Sequence, residues 1–357
     1  MNHTSYTTIG LMSGTSGDGL DLAYCKYELQ DQWSFEILEA LTIPFPEDLE
    51  TKLMNSHLLS ALELALLDVS FGKWMGEQVR HFCNEKQVKP MAVCSHGHTV
   101  FHQPSNGLSL QIGNGWALQT SADQQVITDF RMRDVQLGGQ GAPLVPIGDQ
   151  LLFPTVDFCI NLGGIANISM EHKGHRIAFD ICPFNLLLNP QARKLGKSFD
   201  TQGTWASEGQ LNKILLSQLN EVSFYQLTAA KSLGREVMEE VFIPLLENSR
   251  LTEKDLLRTL VEHYSFQIAK VIKAYSKKER PSVLVTGGGA YNTFFIKTLN
   301  SHLDSQWQQI EASAELIEFK EALIFGFLGV LRLRGENNCL ASVTGASKDS
   351  CGGQIFS

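Results

Sequence analysis

The chain has 357 residues, enough for two average domains or one large one, and its 43 % hydrophobic content allows a sizeable core. Its 38 acidic residues outnumber its 29 basic residues, which gives a net charge of −9. This balance argues against broad nucleic-acid binding and against docking on anionic lipid. The seven cysteines include no CxxC pair, so a disulfide framework and a zinc cluster are both disfavoured.

We expect a cytoplasmic protein. Residues 1–9 lack the basic and apolar regions of a signal peptide. The longest apolar run, residues 322–331, is about half as long as a membrane-spanning helix. Unpaired cysteines fit a reducing compartment.

The first third of the chain predicts three strands followed by helices. Short runs rich in β-forming or alternating residues predict strands at 6–12, 20–27 and 35–43. Apolar residues at helical spacing predict a helix through 71–82, and a buried strand follows at 91–94.

The middle of the chain repeats this order. We predict strands at 157–162, 165–170 and 175–180, and then a helix from about Asn185. A long helix is predicted at 252–276. Each set of three strands has a glycine turn between its first two members, so the chain reads as a duplicated α/β protein.

The start of the long helix carries a capping signal. Thr252 can cap the first turn, with Asp255 in the place of a capping-box acid. A strand at 282–285 follows the helix and ends in three glycines. The Gly- and Pro-rich segment 138–154 is the predicted hinge between the two α/β units, and we expect a ligand cleft where they face each other.

The glycine turns are candidate nucleotide contacts. Turns of Gly, Ser and Thr can present several backbone N–H groups to one phosphate. The residues predicted to bind ATP are Gly14, Thr15, Ser16, Gly17, Asp18, Gly19, Leu20, Asp21, Asn161, Gly163, Gly164, Gly287, Gly288 and Gly289. Asp18 and Asp21 could hold Mg²⁺, which prefers carboxylate oxygen. Each turn taken alone is equally well explained as an ordinary strand connection.

Several longer motifs follow one another along the chain. The first is IGLMSGTSGDGLD at 9–21, and CSHGHTVFHQP and VITDFRMRDVQLGGQGAPLVP follow at 94–104 and 126–146. Others are INLGGIANIS, FDICPFN, KSLGRE, VTGGGAYN and EALIFGFLG, in this order. Together they resemble the anhydro-N-acetylmuramic acid kinases of the actin, hexokinase and Hsp70 superfamily, and the resemblance covers nearly the whole sequence.

The resemblance implies an α/β fold of two ribonuclease H-like lobes, as in actin and hexokinase, with a nucleotide cleft between them. We expect an N-terminal lobe at 1–135, joined by 342–357, and a C-terminal lobe at 136–341. The implied reaction uses ATP and Mg²⁺ to open 1,6-anhydro-N-acetylmuramic acid and phosphorylate O6 during cell-wall recycling. The partner is then a small sugar, with neither nucleic acid nor membrane, in an enzyme that is often a homodimer.

Roles are carried over by motif. Asp180 stands where the family keeps its catalytic carboxylate, and Arg131, Asp134 and Glu321 are expected to contact the sugar. His98 is expected in a substrate-lining loop, which the nearby glycines and the polar Gln103 favour over a zinc site formed with His96 and His102. Without the resemblance, Asp180 would be explained as a helix cap.

The sequence leaves three questions open, two about side-chain placement and one about function. Arg131 and Arg133 are predicted to share one face of a short strand. Cys182 and Phe184 replace two family glycines beside Asp180, and if those glycines contact ligand, we expect the two side chains to crowd the site. These replacements leave two rivals, a kinase for another sugar and a non-catalytic sugar or nucleotide sensor.

Overall fold

The computed structural model describes residues 4–13, 19–227, 231–234 and 237–357. The chain divides into two compact units. Unit 1 comprises Met1–Phe153 and Phe319–Ser357, and unit 2 comprises Pro154–Glu318. The bounds differ from the domains we predicted, which changed at 135/136 and 341/342. The reason is that the segments on both sides of 135/136, and a late helix, pack within unit 1.

The strands described are β1 Ser5–Ser13, β2 Leu20–Leu29, β3 Trp33–Ile43, β4 Ala92–Ser95, β5 His98–Gln103, β6 Leu108–Ile112, β7 Val126–Thr128, β8 Phe158–Leu162, β9 Ile165–His172, β10 His175–Pro183, β11 Ser282–Thr286, β12 Gln308–Ile310 and β13 Gln354–Phe356. The α-helices described are α1 Glu47–Met54, α2 Ala61–Lys86, α3 Gly115–Ala122, α4 Met132–Gln136, α5 Val145–Leu152, α6 Asn185–Lys194, α7 Thr204–Glu208, α8 Lys213–Asn220, α9 Ile243–Ser249, α10 Glu253–Tyr275, α11 Thr293–His302, α12 Ala314–Arg334 and α13 Ala341–Thr344.

Unit 1 is built on a six-stranded sheet of order β13-β7-β4-β1-β2-β3. β1, β2 and β3 are antiparallel neighbours, whereas β4 runs parallel to β1 and β7 parallel to β4. The apolar face of α2 packs on this sheet through Phe71, Met75 and Val79, all fully buried. These are the residues whose spacing predicted the helix.

α12 lies very close to β1 in unit 1. A Cβ on Gly10 would overlap the Ala322 carbonyl, so only glycine allows this approach. Thr8 Oγ1 donates to Gly326 O at 3.1 Å, and Tyr27 OH donates to Leu323 O at 2.6 Å. These contacts attach the late helix to the first sheet and explain why unit 1 includes the C-terminal residues.

Unit 2 contains a five-stranded sheet of order β10-β9-β8-β11-β12. Its first three strands are antiparallel neighbours, and β11 and β12 run parallel to β8. With strands renumbered within each sheet, five strands of each sheet have the order 3-2-1-4-5 with the same directions, and β13 is a sixth, antiparallel edge strand in unit 1. This is the ribonuclease H-like arrangement, so the predicted α/β class and the predicted duplication are confirmed.

Local predictions also meet the structure. Thr252 caps α10, because its side chain accepts from Asp255 N at 3.3 Å. The Asp255 carboxylate accepts instead from Gln210 N at 2.7 Å, so the reciprocal half of a capping box is replaced by a tertiary contact. The predicted hinge at 138–154 contains α5 within unit 1.

Candidate active site

Arg131 begins a helix, so the predicted strand for Arg131 and Arg133 was wrong. Arg131 is the N-cap of α4 and Arg133 lies inside it. The Arg131 guanidinium donates to His96 Nε2 from Nε at 3.0 Å and from Nη2 at 2.8 Å, and to Gly141 O from Nη1 at 2.6 Å. Arg133 donates to Cys351 O at 3.1 Å. The two side chains have different partners because residues two apart on a helix do not share a face.

Glu321, on α12, lies in the electrostatic field of Arg131. Burial raises the pKa of Glu321, the positive charges of Lys320 and Arg131 oppose that rise, and Asp21 adds to it. Burial also lowers the pKa of Arg131 to about 10, against the attraction of Glu321. Unit 1 therefore brings Arg131, Glu321 and Asp21 into one charged cluster.

Gly14, Thr15, Ser16, Gly17 and Asp18, predicted to form the first glycine turn, lie outside the described residues.

The residues that follow this turn are described. The Leu20 side chain is fully buried in the core of unit 1. Leu20, a predicted ATP contact, could therefore contact ATP only through its backbone. Gly19 packs against β3, since an added Cβ would lie 2.7 Å from Ile43 O. Asp21 accepts a hydrogen bond from Thr42 Oγ1 at 2.6 Å.

His98 lies beside the end of β1. Its Nδ1 is 3.1 Å from Ser13 Oγ, the last residue described before the turn. The ring also hydrogen-bonds to the Leu53 backbone, and burial lowers the pKa of His98. These contacts join Ser13 to the last turn of α1, so the described partners of the ring belong to unit 1 itself.

Asp134, predicted to contact the sugar, is 1 % exposed. Its Oδ1 accepts from Thr344 Oγ1 at 2.8 Å and from Cys339 Sγ at 3.1 Å, and its Oδ2 accepts from Gly141 N at 2.8 Å. The carboxylate therefore ties the loop after α4 to the C-terminal segment. These contacts indicate that Asp134 stabilises the structure, and they do not support a direct contact between Asp134 and the sugar.

Asp180 lies in β10 at an irregularity in its pairing with β9. One carboxylate oxygen, Oδ2, accepts from Leu233 N at 2.9 Å and from Ser232 Oγ at 3.2 Å. Burial raises the pKa of Asp180, and these two hydrogen bonds oppose the rise. Asp180 N donates to Lys231 O at 3.0 Å, so the strand and the segment 231–233 hold each other. A partly buried carboxylate with a raised pKa has the properties of a general base.

The glycine turns of unit 2 come together at the ends of β8 and β11. Thr286 of β11 pairs with Asn161 of β8, so the triple glycine 287–289 follows directly beside the turn 163–164. An added Cβ on Gly287 would lie 2.5 Å from Asn161 Oδ1, and one on Gly289 would lie 2.6 Å from Leu162 Cβ. An added Cβ on Gly288 would have no neighbour within 4 Å. Gly163 is also open, with its nearest contact at 3.7 Å. Gly288 and Gly163 thus offer exposed backbone on one edge of the sheet.

Cys182 and Phe184 do not crowd a site, contrary to our expectation. Both are fully buried in the core of unit 2. The Phe184 ring lies 5.2 Å from the Tyr264 ring and 4.9 Å from the Phe295 ring, centroid to centroid. The replacement of the two family glycines by Cys182 and Phe184 therefore affects the hydrophobic core beneath β10 and α6. The argument for a non-catalytic sensor, which rested on them, is removed.

Sequence reasoning missed two sets of contacts. The contact between His96 and Arg131, 35 residues away, was not predicted. Ser232 and Leu233, which hold Asp180, lie more than 50 residues from it. Spacing alone cannot find such pairs, although the motifs SHGH and KSLGRE contained them.

Comparison with known proteins decides the family. The sequence model of the anhydro-N-acetylmuramic acid kinases matches residues 6–357. This chain belongs to the anhydro-N-acetylmuramic acid kinase family. The family member of Vibrio cholerae is 34 % identical, with 98 % of this chain and 97 % of the relative covered. That of Pseudomonas syringae is 34 % identical, with 98 % of each chain covered.

A solved structure also resembles the chain weakly. Component A of (R)-2-hydroxyglutaryl-CoA dehydratase from Acidaminococcus fermentans is 14 % identical, covers 89 % of this chain and 95 % of its own, and superposes with a TM-score of 0.42.

Members of the anhydro-N-acetylmuramic acid kinase family are ATP-using phosphotransferases that act on an alcohol group of a small amino sugar, and this chain is such an enzyme. No helix among residues 4–13, 19–227, 231–234 and 237–357 is long and apolar enough to cross a membrane. Within the same ranges no three His, Cys, Asp or Glu side chains form a metal-binding group.

Proposed function

We propose that this enzyme uses ATP and water to convert 1,6-anhydro-N-acetylmuramic acid into N-acetylmuramic acid 6-phosphate and ADP, a step of cell-wall recycling. The oxygen of water bonds to C1 as the bond between C1 and O6 breaks. O6 then bonds to the γ-phosphorus of ATP, and ADP leaves. The proton lost by water goes to a protein carboxylate.

Asp180 is that carboxylate in our proposal, and its environment is the observation that carries it. Hydrogen bonds from Leu233 N and Ser232 Oγ converge on Oδ2. Among the described residues, Oδ1 accepts no hydrogen bond. One oxygen is thus fixed by protein while the other can face water, and the raised pKa of Asp180 makes it a stronger base than an exposed aspartate.

Arg131 and Glu321 are the proposed sugar contacts. The guanidinium has five N–H groups, of which three donate to His96 and Gly141. The described residues accept nothing from the other two, which suits contact with sugar or lactyl oxygen atoms. We assign His98 and Asp134 to supporting this region.

ATP phosphates are assigned to the turn 14–21 and to the exposed backbone of Gly163 and Gly288. Asp21 supplies the hard oxygen donor that Mg²⁺ prefers, and Mg²⁺ usually takes only one or two carboxylates besides water and phosphate. This donor fits the ion, with Asp18 as a second candidate. When bound, Mg²⁺ would neutralise charge on the β- and γ-phosphates.

Replacement of Asp180 tests the proposal. Asp180→Asn keeps a side-chain acceptor for Leu233 N but cannot take a proton, so ADP release with 1,6-anhydro-N-acetylmuramic acid should fall about 10²- to 10⁴-fold. ATP binding, measured by calorimetry, should be unchanged. The matched control is Asp157→Asn, which removes an ion pair with Lys278 in the same unit. An Asp180→Asn enzyme with near-normal turnover would exclude this base, and wild-type enzyme inactive on this sugar would exclude the substrate.

We also propose that the enzyme works in the cytoplasm as a homodimer. All seven cysteines are free thiols, which fits a reducing compartment that supplies ATP. Light scattering at several concentrations tests the dimer, and a constant monomer mass contradicts it.

A further inference from the structure

His96 has a geometry that none of the sugar or nucleotide roles above explains. Its Nδ1 lies 2.9 Å from Gly97 O, which can only accept a hydrogen bond. Nδ1 therefore carries the proton, and Nε2 of the neutral ring is left as an acceptor. Both Nε and Nη2 of Arg131 donate to that one nitrogen, at 3.0 and 2.8 Å.

The position of His96 is itself fixed from three sides. His96 N donates to Leu11 O at 3.0 Å, which extends the pairing of β4 with β1. The ring packs edge-on against Phe325 of α12, with centroids 4.8 Å apart. With only 7 % of the residue exposed, the acceptor is held rigidly with respect to the central strands of unit 1.

The other side of the Arg131 guanidinium is fixed by backbone. Nη1 donates to Gly141 O, and Gly141 N donates in turn to the buried Asp134 carboxylate. Gly141 has a φ of +66°, and an added Cβ would lie 2.7 Å from Val135 Cγ2, so the loop needs glycine here. Hydrogen bonds to His96 and to Gly141 O thus fix the plane of the Arg131 guanidinium.

We propose that His96, as a neutral acceptor, is a positioning residue that orients Arg131 for binding of the anhydro sugar. The proposal rests on the sugar contact assigned to Arg131 under the proposed function. A guanidinium is planar and its donors form a fixed fork, so a rotation of the plane misdirects the two N–H groups left for substrate. A neutral imidazole can hold this plane without cancelling the charge of Arg131, as a carboxylate would do.

The protonation state of His96 agrees with its role as a hydrogen-bond acceptor. Burial, together with the charge of Arg131, holds the pKa of His96 well below its usual range. The ring is therefore neutral at neutral pH, so Nε2 is an acceptor there.

The test uses a double-mutant cycle with steady-state kinetics. His96→Phe keeps the aromatic contact with Phe325 but removes the acceptor, and it should raise KM for the anhydro sugar about ten- to hundredfold. KM for ATP should change less than about twofold. His96→Gln restores a side-chain acceptor and should recover part of the loss. His81→Phe, the same replacement at an exposed position paired with Glu85, is the control and should change nothing.

Combination with Arg131→Ala separates positioning from general structure. If His96 acts through Arg131, His96→Phe should have no further effect on sugar KM in the Arg131→Ala enzyme. An equal effect in both backgrounds overturns the inference. His96→Asn, whose shorter side chain withdraws from the guanidinium, replaces His96→Phe if the latter does not fold.

The two proposals fail in different ways. Unchanged sugar KM in His96→Phe, together with raised KM in Arg131→Ala, overturns the positioning role and leaves the sugar contact intact. Unchanged sugar KM in Arg131→Ala overturns the sugar contact itself.

Discussion

Lys320 and Asp149 form a buried ion pair in unit 1, beside Glu321. Their charged atoms are 2.7 Å apart, and the side chains are only 5 % and 4 % exposed. Lys320→Met keeps most of the side-chain length but leaves the Asp149 carboxylate buried without its ammonium partner. Removal of one partner of a buried pair typically costs about 3–5 kcal/mol. The Lys320 ammonium also lies 5.7 Å from the Phe153 ring, a contact worth less than the ion pair.

Calorimetric unfolding measures this cost. For a unit of this size we expect the melting temperature of unit 1 to fall by about 10 °C. The double variant Lys320→Met with Asp149→Leu should recover most of the loss, because the Asp149 charge is removed together with that of Lys320. Lys52→Met is the matched control, since Lys52 pairs with Asp48 at 3.6 Å on the surface, and it should cost less than about 1 kcal/mol. Equal melting temperatures for Lys320→Met and Lys52→Met would refute the reasoning.

Three further predictions follow from unit 2. Because burial raises the pKa of Asp180 in the folded protein, its stabilising contribution is complete below the unfolded pKa of about 4 and is lost as the pH rises through the folded value. Asp180→Asn should therefore raise the melting temperature relative to wild type more at neutral pH than at about pH 4; the opposite trend in calorimetry contradicts this sign. Phe184→Ala should cost about 3–5 kcal/mol in denaturant unfolding, since the ring is fully buried between Tyr264 and Phe295; a loss under 1 kcal/mol would mean that the ring is not core. Thr252→Ala removes the cap of α10 and should cost about 1 kcal/mol without changing either KM; altered kinetics would contradict a purely local role.

The sequence alone determined the duplicated order of strands and helices. Strand and helix periodicities are local properties of the chain, so the strands 20–29 and 165–172 and the helix 253–275 were predicted within a few residues. The helix predicted through 71–82 extends over 61–86 in the structure. Long motifs also determined the family, because the match extends over residues 6–357. The capping role of Thr252 was local in the same way.

Only the tertiary structure decided what the individual side chains contact. Asp134 and Arg131 occur in one motif, yet Asp134 is enclosed by the C-terminal segment while Arg131 is held by His96. Cys182 and Phe184 were expected beside the substrate and are buried in the core, because the direction of a side chain near an irregular strand end depends on packing. The partners of Asp180 come from residues 232 and 233, far along the chain. Hydrogen bonds and burial between distant segments leave no periodic trace, and they are what turns the motif residues into a candidate site.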